Sequence, residues 1–194
     1  AGAALSGAVH GAAPAPISRF ALGYAASLST DSELISMQIL EGDYAPPAGA
    51  IALLASRFND LVVDGLIRGA SDTLKRHGVD PAQLTLVRVA GAWELPYAAE
   101  QLAATGRYAG IVALGCVVRG ATAHFDYVSG GAINGLMQIS LKHGLPVGLG
   151  VLTTDTLEQA LDRAGAKAGN KGSDAALALI EQLNLKARIA GAQA

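Results

Sequence analysis

The chain has 194 residues, 51% of them hydrophobic and only 15% charged, with a formal charge of −2. This length fits one domain with a sizeable core, and the lack of a basic cluster argues against nucleic acid as the main partner. A single cysteine, Cys116, rules out an internal disulfide framework and fits a reducing, cytoplasmic setting, while no apolar run is long enough for a membrane span. So uncharged a surface on a lone monomer would be unusual, which points to a large subunit interface.

Residues 1–36 are rich in Ala, Gly and Ser, are interrupted by Pro14 and Pro16, and show no periodicity. They read as a leader with little defined fold, and residues 37–194 as the folded domain. A targeting peptide is the alternative. The leader has no basic start before an apolar core, and Asp31 and Glu33 sit badly in a presequence.

After the Pro46-Pro47 linker, Ile51 to Ala55 reads as a short apolar strand and residues 56–60 as a loop. Val62, Leu66, Ala70, Thr73, Leu74 and His77 recur at helical spacing, with Gly78 placed to end that helix. Leu84 to Val89 is a second strand. Pro96 marks the start of a helix that ends near Gly106. A third strand is expected over 111–114, a helix over about 126–143, and a fourth strand over Val147 to Leu152. Asp155 with Glu158 three residues on forms a capping-box pattern for a short helix ending at Gly165. Ser173 is placed to cap a last helix. The order βαβαβαβ followed by two helices implies an α/β fold: a four-stranded parallel sheet with helices on both faces, a three-layer αβα sandwich.

Four loops should then gather at one sheet edge, where open α/β folds bind ligands. They are 56–60, 90–95, 115–124 and 153–156. Phe58 and Trp93 are large aromatics in such loops and either stack on a flat heterocycle or close the ends of the core. Glu94 either hydrogen-bonds a substrate hydroxyl or amide, or is solvated. Gly120-Ala121-Thr122 offers backbone N–H groups and a hydroxyl at a helix N-terminus, a plausible anion seat. His124 is the histidine of this edge and serves either proton transfer or packing. His77 and His143 fall at helix ends, where the helix dipole accounts for them. Cys116 lacks an adjacent activating base and reads as a pocket-lining apolar residue. The aspartates form no metal set with histidines at ligand spacing, so no metal is expected. Arg163 and Lys171 lie late in the chain, at the end of a helix and in the loop after it.

Several of these stretches, taken together and in order, resemble one family. They are Ser56-Arg57-Phe58-Asn59, Gly91-Ala92-Trp93-Glu94-Leu95-Pro96, Gly115 through Tyr127, Thr154 through Ala160, and Arg163-Ala164-Gly165 to Gly169-Asn170-Lys171-Gly172. The likeness, running from about Met37 to Leu185, is to 6,7-dimethyl-8-ribityllumazine synthase. It implies a flavodoxin-like sheet and the penultimate step of riboflavin synthesis. In that step 5-amino-6-(D-ribitylamino)uracil condenses with 3,4-dihydroxy-2-butanone 4-phosphate.

By matching positions, the resemblance implies that Phe58 stacks on the pyrimidine and that Ala92, Trp93 and Glu94 line the site, with Glu94 near the ribityl chain. Cys116, Val117 and Val118 contact the uracil through main chain, and Leu149 packs on the pyrimidine. Ala121 and Thr122 hold the phosphate with Arg163 as cationic partner, His124 transfers protons, and Lys171 assists at the substrate. No metal or organic cofactor is implied. The family also implies a homo-pentamer in which Phe58, Arg163 and Lys171 of a site come from different subunits, in some relatives a hollow icosahedral shell, and a riboflavin synthase as a further partner. Ala92, Ala123 and Leu149 depart from residues common in the family: serine, proline and phenylalanine, respectively. A shell or flavin-binding scaffold with weakened catalysis is the competing reading, and a flavodoxin-like phosphate-binding domain a third.

Overall fold

The computed structural model describes residues 37–191, so the leader reading of 1–36 lies outside the described residues. β1 (Ala50–Ser56) is buried along nearly its whole length, as an all-apolar strand covered on both faces must be. α1 (Asp60–Arg76) follows, then a short 3₁₀ turn and β2 (Leu84–Val89). A second 3₁₀ turn (Ala92–Glu94) leads into α2 (Leu95–Ala104), and β3 (Tyr108–Val118) into α3 (His124–His143). β4 (Val147–Thr154), α4 (Leu157–Arg163) and α5 (Lys171–Gly191) complete the order. The sheet has four strands in the order β2-β1-β3-β4, all parallel, as expected.

Alternate residues of each central strand feed two separate cores. On one face Ile51, Leu53, Val112 and Leu114 pack with Val62, Leu66 and Leu74 of α1 and Leu179 and Ile180 of α5. On the other, Ala52, Leu54, Ile111 and Ala113 meet Leu95 and Ala99 of α2 and Ala132 and Leu136 of α3. These period-2 strands and period-3.6 helices form the three layers.

Four expectations need correction. β3 is eleven residues long and does not stop at Leu114. Gly115 is no terminator: a Cβ there would lie 3.2 Å from Leu95 Cδ1 and 3.4 Å from Ser56 Oγ, so the glycine makes room for neighbours inside the sheet. The ladder with β4 continues to Val118 opposite Thr154. α3 starts at His124, two residues earlier than expected. The cap of α4 is Thr156, whose hydroxyl accepts from Gln159 N at 3.3 Å, because the Asp155 carboxylate is drawn to Arg119. The cap of α5 is Asn170, not Ser173. Its Oδ1 accepts from the N–H groups of Gly172 (2.9 Å) and Ser173 (3.2 Å), while its Nδ2 donates to Gly65 O and Ala164 O. Lys171 is therefore a helical residue and not a loop residue.

Candidate active site

The strand ends are stitched into one edge by hydrogen bonds between loops. Phe58 N donates to Ala90 O at 3.0 Å, joining the ends of β1 and β2, and Arg119 N donates to Thr154 O at 2.8 Å, joining β3 and β4. Asn59 Nδ2 donates to Cys116 O at 2.9 Å, joining β1 and β3. Above this edge lies an open cavity of about 740 Å³, within the range of small-molecule sites.

Trp93 forms one wall from the 3₁₀ turn. Its ring rests against the backbone of α3 because residue 131 is glycine: a Cβ there would fall 2.4 Å from Trp93 Cζ3. Glu94 turns one carboxylate oxygen back to accept from Gly91 N at 2.8 Å. Phe58, 71% exposed, and Tyr127, 74% exposed, also line the cavity. Exposed aromatics grouped about a cavity are a binding-site signature, not a core one.

The floor is the end of β3, with Cys116, Val117 and Val118. Cys116 is buried, and burial pushes its thiol up to about 11. A neutral thiol is a poor nucleophile, in keeping with its reading as a lining residue. Thr122 and His124 reach the cavity from the loop after β3, and His124 N donates to Thr122 Oγ1 at 3.4 Å. His124 opens a twenty-residue helix, so the positive end of the helix dipole lies at this corner.

The structure thus brings together Phe58, Ala92, Trp93, Glu94, Cys116, Val117, Val118, Thr122 and His124. Four expected residues do not line the cavity. Ala121 is exposed in the same loop as Thr122. Leu149, paired with Ala113 on the edge strand β4, is 48% exposed and lies outside. Arg163 ends α4, where it donates to Gln159 O at 3.0 Å, and Lys171 pairs with Asp174 at 2.8 Å. α4 and α5 belong to the layer on the α1 side of the sheet, which keeps their cations away from this chain's own cavity. His77 and His143 have local roles: His77 Nδ1 meets Thr73 O at 2.8 Å, and His143 Nε2 meets Glu100 at 3.0 Å. Among the described residues, no group of three or more His, Cys, Asp or Glu could hold a metal ion.

Two contributors were not singled out from sequence. Asn59 adopts a left-handed conformation with φ 60°, and its tolerance of that region was the available signal. Arg119 bonds to Asp126 and Asp155. The second partner is thirty-six residues away, so no local pattern announces it.

The fold and cavity together define a parallel α/β protein, covered on both faces of its sheet, with an aromatic-lined cavity at the carboxyl edge of that sheet. The chain belongs to the 6,7-dimethyl-8-ribityllumazine synthase family, whose sequence model matches residues 49–187. It is 51% identical over 152 residues to the 6,7-dimethyl-8-ribityllumazine synthase of Nitratidesulfovibrio vulgaris (strain Miyazaki F), covering 78% of this chain and 97% of that protein. The protein of the same name from Lawsonia intracellularis is 50% identical over 153 residues, covering 79% and 98%.

Proposed function

We propose that residues 37–194 form a transferase domain that condenses 5-amino-6-(D-ribitylamino)uracil with 3,4-dihydroxy-2-butanone 4-phosphate to 6,7-dimethyl-8-ribityllumazine, in riboflavin biosynthesis. The carrying observation is one cavity that holds Phe58, Trp93, Thr122 and His124 together in a member of this family. In this reading the uracil stacks on Phe58 and lies over the main chain of Cys116 to Val118, with Ala92, Trp93 and Glu94 lining the site and Glu94 near the ribityl chain. Ala121, Thr122 and the helix N-terminus seat the phosphate.

The substrate amine attacks the ketone and the carbinolamine loses water to give an imine; loss of phosphate leaves an enol that becomes a ketone, and the second amine attacks that carbonyl and closes the ring with loss of a second water. Each of these steps moves a proton, and His124 at the rim of the phosphate seat is the group to carry it. Holding two reactants in register supplies much of the remaining acceleration.

Arg163, Lys171 and Leu149 complete the site in an assembly. Their positions away from this chain's own cavity, the exposed aromatic rim and the low surface charge support a homo-pentamer with sites shared between subunits. A larger shell, a riboflavin synthase that takes up the product, and a cytoplasmic location follow as parts of the same reading.

The test is direct. Purified protein is mixed with both substrates and lumazine fluorescence is followed. Product should form well above the uncatalysed rate, and its absence would defeat the enzyme reading. His124→Ala should lower kcat by about a hundredfold with little change in substrate affinity. Arg163→Ala should chiefly raise KM for the butanone phosphate. Light scattering should give an assembly and not a monomer.

A further inference from the structure

Arg119 is the first residue after β3. Its backbone N–H continues the ladder to Thr154 O at 2.8 Å, while its side chain reaches forward over the loop it opens. Nη1 and Nη2 fork onto the two oxygens of Asp126 at 3.4 and 3.2 Å. Nε donates to Asp155 Oδ1 at 3.0 Å. The guanidinium carbon lies 4.0 Å from the centre of the Phe125 ring. One side chain therefore connects the end of β3, the first turn of α3 and the loop after β4.

What lies between, residues 120–123, has little to hold its own shape. Apart from its own chain neighbours, Gly120 has no heavy atom within 4 Å of where a Cβ would be. Ala121 and Ala123 offer only methyl groups. The hydroxyl of Thr122 makes a long 3.4 Å contact to His124 N. The loop is held at its entrance by the Arg119 backbone, and at its exit by the Ala123 carbonyl, which accepts from Asp126 N at 3.0 Å and Tyr127 N at 3.4 Å, and by the Arg119 side chain on Phe125 and Asp126. The same guanidinium offsets two carboxylates that flank the stretch read above as the phosphate seat.

We propose that Arg119 is a positioning residue of the reaction: its clamp on Asp126, Asp155 and Phe125 fixes the loop that presents Thr122 and His124, and shields the phosphate seat from the two carboxylates. This rests on the functional reading of that loop. The three charged side chains are 44%, 59% and 70% exposed, so the clamp adds little to global stability; its effect falls on loop geometry and on anion affinity. The planar fork of arginine fits a carboxylate pair and an aromatic face at once, which lysine cannot reproduce.

The experiment compares the assembled wild type with Arg119→Met, Arg119→Lys and Arg119→Met combined with Asp126→Asn and Asp155→Asn. Arg119→Met should melt near the wild-type temperature, raise KM for the butanone phosphate roughly threefold to tenfold and lower kcat. Neutralising both carboxylates in its background should bring KM back while kcat stays low, because charge repulsion is relieved but the loop is still unpinned. Arg119→Lys should recover KM better than kcat. An unchanged KM in Arg119→Met, or a raised KM that the asparagines do not reverse, overturns the proposal.

Binding of inorganic phosphate, followed by calorimetry, gives a readout independent of turnover. A wild type that binds phosphate but makes no lumazine defeats the reaction reading alone, whereas equal phosphate affinity in wild type and Arg119→Met defeats this one. If Arg119→Met does not fold, Asp126→Asn/Asp155→Asn in the wild-type background should bind phosphate more tightly and turn over more slowly. No change in either also overturns the proposal.

Discussion

Asn59 and Cys116 lie 57 residues apart in sequence, yet the Asn59 amide donates to the Cys116 carbonyl at 2.9 Å. The bond ties the loop that carries Phe58 to the strand that forms the cavity floor. Asn59 also occupies the left-handed region, φ 60° and ψ 45°, at the N-cap of α1, so it combines a backbone demand with a tertiary one. Asn59→Ala should cost about 2 kcal/mol, from the left-handed penalty and the lost hydrogen bond together. Asn59→Gly keeps the conformation and should cost about 1 kcal/mol. Urea denaturation of the two variants separates the terms; equal losses would show that backbone conformation contributes nothing.

The contact of Trp93 with Gly131 predicts an effect on the site that outweighs the effect on stability. A methyl group at residue 131 would meet the ring at 2.4 Å, and the ring, 60% exposed, has room to move outward. Gly131→Ala should change unfolding free energy by no more than about 1 kcal/mol while displacing the cavity wall and lowering activity. Trp93 is the single tryptophan, so its emission spectrum reports that wall alone. An unshifted spectrum with full activity would contradict the packing.

Gly172 tells the opposite story. Its added Cβ would lie 2.1 Å from the backbone oxygen of Leu66, where α5 crosses α1, and backbone cannot rotate aside. Gly172→Ala should destabilise by about 2 to 4 kcal/mol, visible as a lower denaturation midpoint. A loss below about 1 kcal/mol would mean the two helices separate easily there.

Cys116 supplies a pH dependence. Burial raises its thiol from 9.0 to about 11, so the folded state holds this proton more tightly than the unfolded chain does. Its contribution is therefore fully present below pH 9 and is lost as pH rises towards 11. Stability should fall across that window, with a shallower fall in Cys116→Ala. Below it, iodoacetamide should label the folded protein far more slowly than the protein in urea. Comparable rates would show the thiol to be accessible.

Much of the architecture was legible because strands covered on both faces leave continuous apolar runs such as Ile51 to Ala55, and amphipathic helices leave spaced ones such as Val62, Leu66 and Leu74. Gly115 misled the reading of β3: a glycine that ends a strand and one that makes space beside Leu95 and Ser56 look alike in one dimension. The caps misled it for a related reason. Asp155 had the right spacing for a capping box, but its carboxylate pairs with Arg119 instead, and the hydroxyl of Thr156 takes over the capping role.

The sequence alone determined the βα order, the four loops at one edge and the residue types with chemistry to offer, because those follow from periodicity and from local backbone preference. Only the tertiary structure decided which of them share a space. Phe58, Trp93, Thr122 and His124 meet around one cavity because parallel pairing in the order β2-β1-β3-β4 brings the ends of separate strands together. Arg163 and Lys171 stay outside it because α4 and α5 pack on the α1 side of the sheet. Which face a helix covers is set by the packing of the whole chain, and no short stretch of sequence contains it.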